Sequence, residues 1–440
     1  MRIVLKVLRW AFSLLIVMIL FAAVWPWKVV FDEQQNAAPF KVYLQENVQR
    51  LRLDQPDPGF DFPNDFYTQK LFLIGEIHGA QTAQHFDLAL MKHLNERIGV
   101  RWLMAELSYV QAARFNAYLE TGDEAYLTPV FEAWLNRSAQ WGNRQHYDKI
   151  KALRVYNLGL PEDRRIRYFG VDLIHADDRE DAASWLNMML SAIPAEAPTA
   201  LTSLRAATSP FDQNAFSGIA TAALDVLNGA DATDLEALGV DTVAVAHLVR
   251  NIQYSLNETR RYEAIPANIA AMVNTFGVGD DEPLYGFWGL FHVMKAIIND
   301  TGRPLAVRLA QSDLPFADDI VSVSMIYADS KQNMPSHILP GFLQSDGPYT
   351  EVPIGQNNPY LMYLYGIGDL RSVANGAEVS VFRLYEDGSP YIDETRLRTQ
   401  TGILTKAFKF EITPPSQQPA DYVVLIDGSP ALTAWQGDAP

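Results

Sequence analysis

The residues that could do chemistry in this chain fall in two short stretches of the same design. In KLFLIGEIHG, Lys70 to Gly79, an apolar run stops at Gly75, and a carboxylate, Glu76, stands two residues before an imidazole, His78. In the second stretch, Leu284 to Trp288 runs into Gly289-Leu290-Phe291-His292, which again sets a glycine three residues ahead of a histidine. Two further apolar runs close on acids, Arg101 to Ala105 on Glu106 and Arg167 to Val171 on Asp172. A histidine flanked by carboxylates suits a general base, because the acid fixes the tautomer and stabilises the imidazolium that forms. A second histidine opposite it could protonate a leaving group or steady an oxyanion. The same side chains would equally offer a divalent metal two His and one or two carboxylates, so no cofactor is assigned.

Each of these residues also has a plainer reading. A lone histidine after an apolar run is usually a loop residue facing solvent, and Asp172 serves equally well as a helix cap. What singles out Glu76, His78, Glu106 and His292 is that the setting repeats and that several runs end on reactive groups. His85, His93, His146, His247 and His337 have no comparable setting, and His93 falls on a helix face as a structural residue would.

Those residues must be held by strands. The run before Gly75 reads as a buried strand, and Gly75 and Gly79 allow a tight turn and close backbone approach. Thr82 is placed to cap the following helix, whose apolar face shows at Phe86, Ala89, Leu90 and Leu94. Strands are expected at Arg101 to Ala105, Arg167 to Val171, Leu284 to Trp288, Ile320 to Tyr327, Glu378 to Leu384 and Tyr422 to Ile426. Helical pattern fills Val110 to Asn157 and the Ala-rich stretch from Asp177 to Phe276. Strands alternating with long helices indicate an α/β fold, a mainly parallel sheet with helices on both faces and a helical insertion at about 177–276. If four of the strands lie side by side, their acids and histidines meet at one edge.

Composition narrows the classes. With 35 Lys plus Arg against 52 Asp plus Glu, the net charge is −17, which argues against nucleic acid as a partner. The chain has no cysteine, which excludes disulfides, thiolate nucleophiles and Cys-ligated zinc. No Gly-x-Ser-x-Gly follows any strand, so serine-hydrolase chemistry of that type lacks support. Arg2, Lys6 and Arg9 precede an uncharged run from Trp10 to Trp27. That run is at the short end of what spans a bilayer, and a cleaved signal peptide has the same basic start and apolar middle. Ala22 and Ala23 make a poor cleavage site, so residues 1–28 are expected to form a transmembrane anchor. The body would then lie in the periplasm or outside the cell. Residues 29–65, polar and rich in proline, read as a tether with one short helix near Val42 to Leu51, and 66–440 as the folded domain.

The ordered series of motifs resembles the erythromycin esterase family, within the wider group that includes Tiki and TraB proteins and ChaN-type haem-binding lipoproteins. Gly75-Glu76-Ile77-His78-Gly79 is similar to that family's Gly-Glu-x-x-His-Gly signature, with one residue fewer between acid and histidine. Glu106, Phe115 to Leu119, Leu153 to Asn157, Tyr168 to Asp172, Arg261, Asn268, His292 and Tyr422 to Thr433 resemble later family segments in the same order. The resemblance implies a hydrolase in which His78, aided by Glu76 and Glu106, activates water against an ester or lactone carbonyl while His292 assists. It also implies substrate-binding roles for Arg261 and Asp172, with a small molecule as partner. The family's His-Asn-x-His run is replaced here by Gly289 to His292, and paired Gly-x-x-His motifs are closer to the Tiki and TraB pattern. A metal-dependent peptidase or a non-catalytic haem or metal-binding protein are therefore the alternative expectations.

Overall fold

The computed structural model describes residues 24–437 apart from 230–234, 237–238, 280–281, 297–301, 395 and 402–418. In chain order the strands are β1 (Val48–Leu51), β2 (Leu71–Glu76), β3 (Trp102–Ser108), β4 (Arg167–Asp172), β5 (Leu284–Gly289) and β6 (Ile320–Ala328). They continue with β7 (Ser330–Pro335), β8 (Tyr349–Ile354), β9 (Asn357–Asn358), β10 (Met362–Tyr365), β11 (Val379–Arg383), β12 (Arg398–Thr401) and β13 (Tyr422–Asp427). Eight of them form one sheet in the order β1-β11-β13-β6-β2-β5-β3-β4. From β13 to β4 every pairing is parallel, and β1 and β11 add an antiparallel flank. All seven strands expected from the sequence lie in this sheet.

Alternation along the strands assigns the faces. Phe72 and Ile74 of β2 enter one apolar core and Leu71 and Leu73 the other. The first core is closed by α3 (Gln81–Ile98), α4 (Tyr109–Thr121), α5 (Thr128–Asn136) and α6 (Arg144–Leu158), through Phe86, Leu90, Phe115, Phe131 and Ile150. Beyond them α7 (Arg179–Met189), α8 (Thr199–Ala207), α9 (Gln213–Leu227) and α10 (Thr242–Leu256) pack around their own core, in which Leu186, Leu204, Phe216 and Leu248 are buried. Helix α11 (Arg261–Asn274) returns to the sheet, its Ile265, Ile269 and Met272 packing with Phe169 and Val171. Helix α12 (Ile367–Ala374) covers the flank beside β6 and β13.

Two local expectations are corrected. Thr82 does not cap α3: Ala80 holds the cap position, the Thr82 N–H donates to Ser429 Oγ at 3.0 Å, and its hydroxyl donates to Glu378 at 2.7 Å. The stretch read as a tether is built onto the domain. It carries α1 (Lys28–Gln35) and α2 (Ala38–Glu46), and Val48 to Leu51 pair with β11 as an edge strand. Among the described residues no helix is long and apolar enough to cross a membrane, and the run proposed to do so lies almost wholly outside them.

Helix α1 is held by a buried charge cluster. The Glu33 carboxylate, 2% exposed, accepts from Tyr363 OH at 2.7 Å and from the Gly368 N–H at 2.8 Å. Arg396 donates to the Glu33 carbonyl at 2.6 Å and to Asp369 through Nε at 2.8 Å and Nη2 at 2.6 Å. A buried ion pair adds little over an apolar pair of the same shape, but removing one member strands the other. Replacing Arg396 with Met is therefore expected to lower stability by about 3–5 kcal/mol in a urea unfolding curve. A variant as stable as the parent would contradict the cluster.

Candidate active site

Strands β2, β5, β3 and β4 are neighbours in that order. Being parallel, they end at one edge, and Glu76, Gly289, Glu106 and Asp172 stand at or near those ends. Open α/β sheets bind ligands at this edge. Gly75 is required by packing: a Cβ there would fall 2.3 Å from Val293 Cγ2 and 3.1 Å from the Leu290 backbone. Gly79 is required by conformation, with φ of 103° and a prospective Cβ 2.5 Å from the Asn333 carbonyl.

Glu76 is 1% exposed and its Oε1 lies 2.9 Å from His78 Nδ1. An ionised carboxylate can only accept, so it fixes the proton on Nδ1 and leaves the Nε2 lone pair free. The His78 ring stands edge-on to Trp141 at 4.6 Å between centroids. Gln140 donates to the His78 carbonyl at 3.0 Å and so ties this turn to the Trp141 loop. Nε2 faces Gly289, where a Cβ would lie 3.2 Å from it and 3.6 Å from His292 Cδ2. The Gly289 backbone, at φ −57°, is open to any residue. What glycine supplies there is room beside the His78 ring, which a Cβ would crowd while only touching His292.

Glu106 and Arg261 organise the other half. Glu106 Oε2 accepts from the Gly289 N–H at 3.0 Å, and Oε1 lies 3.4 Å from His292 Nε2. Arg261, the first residue of α11, forks onto Asp172, with Nε at 2.8 and 3.0 Å from the two carboxylate oxygens. Its Nη2 also reaches Glu106, and Nη1 lies 3.2 Å from His292 Nε2. Arginine has no lone pair to offer, so that contact is a hydrogen bond only if His292 Nε2 accepts. An Nε2–H aimed at Glu106 excludes it, so this one nitrogen serves either the guanidinium or the carboxylate and not both at once.

The charges bear on each other's protonation. Burial depresses the His78 imidazole, but the hydrogen bond from Glu76 and the charges of Glu76 and Glu106 overcome it, so its pKa stands above the ordinary value. Burial raises Glu76, against the pull of His78 and of Lys149. Burial also opposes ionisation of Glu106, yet the His292 hydrogen bond and the neighbouring His78 and Arg261 charges hold it well below the usual carboxylate range. Glu106 is thus held as a negative charge of the site, and it favours the protonated form of His78.

All six residues singled out in the sequence are in or against this cluster. Asp172 departs from its expected role: both carboxylate oxygens are engaged by Arg261, so it positions Arg261 instead of facing a substrate. A divalent cation does not fit this donor set, because the guanidinium already occupies Glu106 and Asp172 and places a positive charge beside His292. Among the described residues no three potential ligands converge as a cation site.

The sequence reading missed Trp141, Gln140 and a buried polar group under the site. There Lys149, 7% exposed, pairs with Asp87 at 2.7 Å and Gln84 at 2.6 Å, and Tyr285 donates to Asp87 at 2.6 Å. A buried Lys at a helix position and a Tyr in a strand carry no signal that distinguishes them from surface and core. A small cavity of about 30 Å³ lies between this group and the site, lined by Asp87, Glu106, Trp141, His146 and Lys149. A far larger one, about 1040 Å³ and lined by Arg50, His85, Lys92, His93 and Glu378 among others, includes none of the site residues. His93, read as a helix-face residue, bonds through Nε2 to Tyr67 OH at 2.7 Å.

No family model matches the chain, and no curated protein matches it in sequence. Solved structures do match in fold. A Bacillus cereus protein superposes with a TM-score of 0.61 at 15% identity, over 91% of this chain and 100% of its own. A succinoglycan biosynthesis protein gives 0.61 at 13% identity, over 91% and 99%. A histidine-to-asparagine variant of erythromycin esterase EreC, in its open conformation, gives 0.58 at 12% identity, over 87% and 98%. At these identities the likeness is one of fold.

The electrostatics predict how His78 titrates. Its imidazole ¹⁵N midpoint should lie above the ordinary value of about 6.5. Glu106→Gln removes a negative charge that favours the imidazolium, so the midpoint should fall in that variant. A midpoint that does not move would separate Glu106 from His78.

Proposed function

We propose that this chain is a hydrolase in which His78 Nε2 activates water for attack on an ester or lactone carbonyl, and that residues 1–28 anchor it in a membrane with the body on the far side. The observation that carries the chemistry is the pair of imidazoles facing each other across Gly289, one of them tautomerically fixed by Glu76. His78 takes the water proton as the oxygen bonds to the carbonyl carbon. Arg261 and His292 then face the oxyanion that forms, and the proton held by His78 passes to the departing alkoxide. Glu106 orients both His292 and the Gly289 amide, and Asp172 keeps Arg261 extended into the site. The shared fold with erythromycin esterase EreC supports a carbonyl hydrolase over the other expectations, and the guanidinium among the carboxylates weighs against the metallopeptidase and metal-binding ones.

The base must be neutral to accept a proton. Because the His78 pKa is raised, activity should be low in acid and climb as pH passes above the ordinary imidazole value. On a panel of p-nitrophenyl esters and lactones, His78→Ala should lose about 10²-fold or more in kcat while its circular dichroism stays unchanged. A folded variant with full activity would end this reading. Turnover should also survive chelator, and its loss there would favour the metal-dependent alternative.

A further inference from the structure

Helix α1 has two unlike faces. Glu33 points into the domain, flanked by Val29 and Val30, which pack against the apolar core beneath α12. On the opposite side, Val24 just before the tight 3-10 turn that leads into α1, Trp27 at the end of that turn and Phe31 of α1 itself follow one another at the i, i+3, i+7 spacing that keeps side chains on one face. They are 63%, 45% and 61% exposed. Trp27 Nε1 donates to Tyr360 OH at 2.9 Å, and the two rings meet edge-on at 6.4 Å. Tyr360 and its neighbour Leu361 are themselves 39% and 41% exposed, so the apolar face continues from the helix onto the turn before β10. Scattered exposed apolar side chains are normal, but a contiguous group calls for a partner.

The sequence says which partner. The uncharged run that begins at Trp10 ends at Trp27, and so delivers the chain onto this face. Trp and Tyr are the side chains that favour the headgroup level of a bilayer, with rings against the acyl boundary and polar ends toward water. Lys28 and its ion-pair partner Asp32 stand exposed beside them, where a long cationic side chain can reach phosphates. We propose that Val24, Trp27, Phe31, Tyr360 and Leu361 form a docking face seated in the headgroup region of the membrane, so that the domain is clamped against the bilayer through α1. The inference rests on the anchor proposed above, and adds that the domain is held in one orientation.

Because the chain has no cysteine, single-cysteine labelling tests this directly. Full-length Phe31→Cys, Leu361→Cys and Val155→Cys variants, each carrying a bimane label, are reconstituted into phosphatidylcholine vesicles containing doxyl-labelled lipid. Val155, 72% exposed on α6, is the reference for a side chain in water. Apolar interfacial faces sit about 5–10 Å into the headgroup boundary, so the labels at positions 31 and 361 should lose about half their emission or more to lipid-borne quencher. The label at 155 should respond only to aqueous iodide. Vesicle flotation is read in parallel. A chain that floats while the 31 and 361 labels behave like the one at 155 keeps its anchor and overturns the docking face. Labels shielded from both quenchers mean that a second copy covers the face, which also overturns it. A chain that does not float removes the anchor and this inference together.

Discussion

The arrangement of the site depends on where one positive charge goes. Arg261 is asked to satisfy Asp172, Glu106 and His292 at once, and its planar fork allows this because three of its nitrogens point in different directions. Without it, two largely buried carboxylates would face each other at the ends of β3 and β4 with no cation between them, a costly state that protonation would relieve. With it, Glu106 stays ionised, can hold the Gly289 amide, and can bias His78 toward its charged form. Strand order, the start of α11 and the protonation of His78 are thus linked through a single guanidinium.

Much of this was legible in the sequence for simple reasons. Strands buried on both faces are near-continuous apolar runs, and those of β2, β5, β6 and β13 stand out without any alignment. A run that stops on glycine and an ionisable residue marks a strand end with equal clarity. The order β2-β5-β3-β4 was not readable, since it is set by crossovers through helices. Only the repetition of acids and histidines suggested that these ends meet. Asp172 and Arg261 were read as two separate substrate contacts because they are 89 positions apart, and nothing local announces that each is the other's partner.

The amino-terminal segment shows where pattern fails. The edge strand β1, VQRL, is four residues long with one fully buried, and has no alternation to detect. Glu33 lies in the polar sequence FDEQQN, which looks like linker. Its carboxylate is nonetheless buried, because Tyr363, the Gly368 amide and Arg396 come to it from residues more than three hundred positions away. Polar composition identifies a tether only where its charges find water, and here Glu33 finds protein.

Gly289 bears on how such a site can change over time. Even a methyl at this position would crowd the His78 ring and touch the His292 ring, and the strand that carries it is pinned by its own amide to Glu106. A side chain at position 289 would therefore call for a compensating shift of the His78 ring. The surroundings of the two rings are left to be shaped by loops, such as the one in which Gln140 holds the His78 carbonyl and Trp141 stands against the His78 ring.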